Sequence, residues 1–90
     1  MPKKNENESF VEVERVQTGV RMEKNMVKVL KGLAEYLNIT LGDLLEGIVL
    51  HVFDNKTPFS DETLKKISQL KDIYGLKLHA ENSHKLKEEE

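Results

Sequence analysis

The chain has no cysteine, and that absence excludes a disulfide framework, a thiolate zinc site and a cysteine nucleophile together. It also has no apolar run near the roughly 18 residues that a membrane span requires. The opening Met1-Pro2-Lys3-Lys4-Asn5-Glu6 leads into no secretory apolar core, so the expectation is a cytoplasmic protein with no membrane partner. An excess of positive charge is missing as well. The formal net charge is -2 over 90 residues and the pI is near 5.9, which argues against nucleic-acid binding by bulk charge and leaves only local placement.

Catalytic constellations are equally scarce. Asp43 and Glu46 form a carboxylate pair at helical spacing, but no nucleophile, histidine partner or Gly-rich loop accompanies them. His79 and His84 stand five apart in a charged tail, His51 is distant, and no cysteine completes a metal site. The expectation is a non-enzyme with no cofactor and no metal. Ninety residues make one small domain, which buries little of its surface unless it associates.

What the chain does have is alternation. In Arg15-Val16-Gln17-Thr18-Gly19-Val20-Arg21-Met22 a strand would place Val16, Thr18, Val20 and Met22 on one face and Arg15, Gln17, Gly19 and Arg21 on the other. The backbone of a strand needs a ladder, and the rest of the chain reads as helix or loose terminus. The expected partner is therefore a second copy, paired antiparallel about a two-fold axis. Phe10 to Glu14 alternates in the opposite phase, so either a bulge joins the two stretches or the first is a flexible lead-in.

From about Glu23 the period becomes helical: Met26, Val29, Leu30, Leu33, Ala34 and Leu37 fall three and four apart. Asn38 reads as a left-handed stop, and Thr40 with Asp43 as a capping box opening a second helix, Leu41 to about Phe53. That helix carries a wide stripe of Leu41, Leu44, Leu45, Ile48, Val49, Val52 and Phe53, enough to pack on two neighbours. Pro58-Phe59 marks a bend, Ser60 a third N-cap, and Leu64, Ile67, Leu70 and Ile73 the narrow stripe of a third helix ending at Gly75. The organisation predicted is a flexible arm over 1–14, a strand-helix-helix domain over 15–54, a helical extension over 55–76 and a flexible charged tail over 77–90.

In order and spacing, the strand Val16 to Met22, the helix with Leu30, Leu33, Ala34 and Leu37, the linker Asn38-Ile39-Thr40 and the helix with Leu44, Leu45, Ile48 and Val49 resemble the ribbon-helix-helix DNA-binding family of Arc, MetJ and CopG. The resemblance covers residues 16 to 53. It implies a mainly α fold, in which the strands of two subunits pair and enter the major groove of double-stranded DNA. The positions carried over as base readers are Gln17, Gly19 and Arg21, with Arg15 one strand step outside the usual set. Arginine suits guanine and glutamine suits adenine, whereas Gly19 has no side chain to read with. The resemblance also implies phosphate binding at the N-terminus of the second helix, at Thr40, Leu41 and Gly42, with Lys24, Lys28 and Lys31 adding attraction from the first helix. The dimer core would hold Val16, Val20, Met22, Leu30, Leu33, Leu44 and Ile48.

The function this implies is a homodimeric transcriptional repressor on a roughly palindromic operator, bound as two or more dimers side by side. One rival is an antitoxin, whose segment after Phe53 captures a toxin protein. The other is a protein-interaction module that does not bind DNA.

Overall fold

The computed structural model describes residues 9–89, so most of the expected N-terminal arm, residues 1–8, lies outside the described residues. Three helices follow one another: α1 (Lys24–Leu37), α2 (Leu41–Phe53) and α3 (Asp61–Tyr74), with a short 3-10 turn at Ala80–Asn82. No single helix among the described residues is long and apolar enough to cross a membrane.

The expected ribbon-helix-helix fold, with one N-terminal strand pairing antiparallel with that of a second subunit, is overturned: the described residues are all-helical and contain no strand. Residues 9–23 run without helix, strand, turn or bend, and lie exposed save for Glu23. Alternation only sorts side chains between two faces; a strand exists where a ladder satisfies its backbone. Nothing among the described residues lines up beside residues 15–22 to form one, and Gly19 adds backbone freedom with no packing in return. With no ladder there is no bulge to reconcile the two phases of alternation.

The helical punctuation follows the sequence closely. Glu23 caps α1, its carboxylate accepting from the Met26 N–H at 2.7 Å. At the other end Asn38 takes the left-handed conformation, φ 61°, and its N–H reaches the Ala34 and Glu35 carbonyls. The Ile39 N–H also returns to Ala34, at 3.0 Å. Thr40 Oγ1 then accepts from the Asp43 N–H at 3.0 Å, which is the forward half of the expected capping box; Asp43 makes no return bond among the described hydrogen bonds. Ser60 caps α3 in the same way through the Thr63 N–H. Gly75, φ 69°, closes α3 with the Leu76 N–H on the Lys71 carbonyl at 2.9 Å, satisfying carbonyls that the helix end leaves free.

The tight Asn38-Ile39-Thr40 link sets α2 at 98° to α1. This drives Leu44 of α2 into Leu33 and Ala34 of α1, the three forming the buried cluster, with Leu33 2% and Leu44 3% exposed. Leu30, Leu37, Leu41, Ile48, Phe59, Ile67 and Leu70 pack around it half-buried. The third helix docks on α1, and the Lys66 ammonium lies 4.9 Å from the centre of the Tyr36 ring, a cation–π contact between α3 and α1. Beyond α3, the tail expected to be frayed carries the Ala80–Asn82 turn, whose entry is fixed by the His79 N–H donating to Asn82 Oδ1 at 2.8 Å.

This core is small. Val29, Leu33, Ala34 and Leu44 are its buried residues, and α2, the most apolar of the helices, contributes only Leu44. Of the seven residues expected in a dimer core, Leu33 and Leu44 are buried within the single chain, and Leu30 and Ile48 are half-buried. Val16, Val20 and Met22 are exposed, Val16 to 79% and Val20 to 74%. The accessible surface is 8128 Å², where a compact monomer of 10.4 kDa exposes about 5,400 Å².

Candidate nucleic-acid interface

The cations of this acidic protein are unevenly placed. Residues 15–31 hold Arg15, Arg21, Lys24, Lys28 and Lys31 against the single carboxylate of Glu23. All five cationic residues are exposed. Gln17 is exposed between the two arginines, and Gly19 would meet no atom within 4 Å if it carried a Cβ. Residues 15–22 are thus exposed throughout, and their side chains offer two guanidinium groups, one carboxamide and the Thr18 hydroxyl alongside the apolar Val16, Val20 and Met22.

Both arginines are engaged by carboxylates from distant parts of the chain. Arg15 donates from Nε to Glu46 Oε2 at 2.8 Å and from Nη2 to Glu46 Oε1 at 2.9 Å, a bidentate fork reaching from the segment to α2. The hydrogen bonds and charge of Glu46 raise the Arg15 pKa above its ordinary value, with Asp43 adding a smaller push. In turn the Arg15 hydrogen bond lowers the Glu46 pKa, partly opposed by desolvation. Arg21 pairs instead with Glu88 of the C-terminal tail, through one nitrogen and one oxygen. The two arginines therefore differ: one is gripped by a helix, the other touched by a tail.

At the N-terminus of α2, Thr40 and Gly42 are exposed and Leu41 is half-buried. The first N–H groups of a helix have no intrahelical acceptor, and those of Leu41 and Gly42 precede the Asp43 N–H that Thr40 caps. Gly42 has open space where a Cβ would stand, so nothing within the chain demands a glycine there. Asp43 is exposed beside it. Lys24 and Lys28 lie on the first two turns of α1.

Two residues of this surface carried no sequence signal of their role. Glu46 read as half of a carboxylate pair with Asp43, and its link to Arg15 spans 31 positions, which no local pattern encodes. Glu88 read as one of a run of tail charges. A cavity of 290 Å³ between α2 and the start of α3, lined by Gly47, His51 and Phe59 among others, stands apart from the basic segment.

Compared with known proteins, the chain matches no family model, no curated protein and no solved structure.

Proposed function

We propose that this chain is a homodimeric, sequence-specific DNA-binding transcriptional regulator, acting as a repressor, that contacts DNA through the exposed segment Arg15–Met22. The observation that carries the proposal is the concentration of exposed cations in residues 15–31 of an otherwise acidic protein, around a glutamine able to read a base edge. Gln17 and Arg21 are the proposed base readers, and Gly19 lets the backbone approach. Thr40, Leu41, Gly42, Lys24 and Lys28 are the proposed phosphate contacts, since helix N-termini and lysines favour anions.

The dimer in this proposal is supported by what the single chain leaves uncovered. Val49, Leu50, Val52 and Phe53 of α2 are all exposed, and a second copy is the natural cover for one continuous apolar helix face.

Selection of bound sequences from a random DNA library tests the proposal. The unaltered chain should enrich a two-fold symmetric sequence, and Gln17→Ala with Arg21→Ala should abolish the preference while leaving a folded dimer. Affinity should fall steeply with salt, because phosphate contacts release counterions. Failure to bind any DNA at low salt would overturn the proposal in favour of a protein-interaction module.

A further inference from the structure

The Arg15–Glu46 fork uses one particular edge of the guanidinium. Nε and Nη2 form its side edge, and both donate to the Glu46 carboxylate. A guanidinium has five N–H groups in one plane, so this arrangement leaves the two N–H groups of Nη1 and the second of Nη2. These outer donors form the end edge, the one that can make a bidentate contact with guanine O6 and N7. The Arg15 side chain is 68% exposed, and the Glu46 grip orients its plane relative to α2. An arginine on an otherwise loose segment would sample many rotamers and lose that freedom on binding. One held along its side edge has lost part of it beforehand.

We infer that Glu46 is a specificity-positioning residue, which grips the side edge of Arg15 so that the end edge is presented to a guanine at the outer end of the DNA-contacting segment. The inference rests on the proposed DNA reading and adds to it an acidic residue with a positive role in recognition. Its chemistry separates it from a plain charge effect. Removing a carboxylate near DNA relieves repulsion and should strengthen indiscriminate binding, whereas removing a positioning group should weaken discrimination at one base. The two effects have opposite signs and are read separately.

The experiment is sequence selection with the full chain and with Glu46→Ala, Glu46→Gln and Arg15→Lys, each checked for helicity by circular dichroism. Glu46→Ala should lower the preference for guanine at one position of each half-site by about two- to tenfold, the range expected from freeing one side chain. Affinity for unrelated DNA should stay the same or rise. Glu46→Gln, which keeps one acceptor and the same shape, should fall between, and Arg15→Lys should lose the same guanine because an ammonium has no fork. Full guanine preference in Glu46→Ala overturns the inference and leaves the DNA reading intact. A chain that selects no sequence at all overturns the DNA reading itself, and this inference with it.

Discussion

Gly32 and Leu70 meet where α1 and α3 pack together: a Cβ built on Gly32 would lie 3.2 Å from Leu70 Cδ2, with Tyr74 Cε2 at 3.4 Å. A glycine inside α1 costs about 1 kcal/mol of helix propensity relative to alanine. Here the missing side chain admits the third helix. That contact packs residues 61–74 against α1.

Substituting leucine at Gly32 should therefore push α3 off the body while α1 and α2 remain folded. Hydrogen exchange should report slow amides across residues 61–74 in the unaltered chain and fast ones in Gly32→Leu. Uniformly fast exchange in the unaltered chain would show that α3 does not dock in solution, which would favour the antitoxin reading.

Leu44 is the sole buried residue of α2, so Leu44→Ala opens a void in the centre of a core with few other members. The cost expected for such a truncation is about 2–5 kcal/mol, a large share of the stability typical of a small domain. Urea unfolding should show the midpoint falling accordingly. A shift under about 1 kcal/mol would mean that the α1–α2 contact collapses around the void.

Phe53 is 78% exposed at the end of the apolar α2 face. Replacing it with glutamate, together with Leu50→Glu, should leave the helical content unchanged and convert the proposed dimer to a monomer in sedimentation equilibrium. A double variant that remains dimeric would place the interface elsewhere.

The Glu46 carboxyl is lowered from its ordinary range, chiefly by the hydrogen bond from Arg15. For a depressed carboxylate the interaction is fully present above the unfolded-state pKa and is lost as pH falls through the folded one. The Arg15 tether should thus persist at neutral pH and release only in acid, below the usual carboxylate titration. An NMR titration of the Glu46 side-chain carbon should give a midpoint below the ordinary value, restored by Arg15→Ala. Equal midpoints in the two proteins would show that the fork does not persist in solution.

In the proposed complex, Glu88 competes with DNA for Arg21, whose Nη2 it holds. Glu88→Gln should raise DNA affinity, by at most about fivefold since both partners are exposed, and more at low salt than at high. Fluorescence anisotropy with a selected sequence measures it, and unchanged affinity at low salt would mean that the tail does not occupy Arg21.

Local chemistry explains which features were legible beforehand. The limits of the helices could be read because their signals sit next to what they control: Asn38 adopts the left-handed stop, Thr40 and Ser60 cap the N–H groups three residues on, and Gly75 ends α3. The stripe positions Leu33, Ala34 and Leu44 also follow from a 3.6-residue period that any helix must obey. The strand failed on the same logic. Alternation from Val16 to Met22 is local, but a ladder is a relation between two segments, and the described chain supplies no second one.

By itself, then, the sequence determined three helices, the caps at Thr40, Ser60 and Gly75 and the stop at Asn38, the buried positions Leu33, Ala34 and Leu44, and a basic stretch in an acidic protein, because each depends on residues within one or two turns. Only the tertiary structure decided that α2 crosses α1 at 98°, that Gly32 seats α3, and that Arg15 is held by Glu46 and Arg21 met by Glu88. Those are contacts between residues far apart in the chain. They depend on how rigid elements pack in space, which periodicity along a single element does not specify.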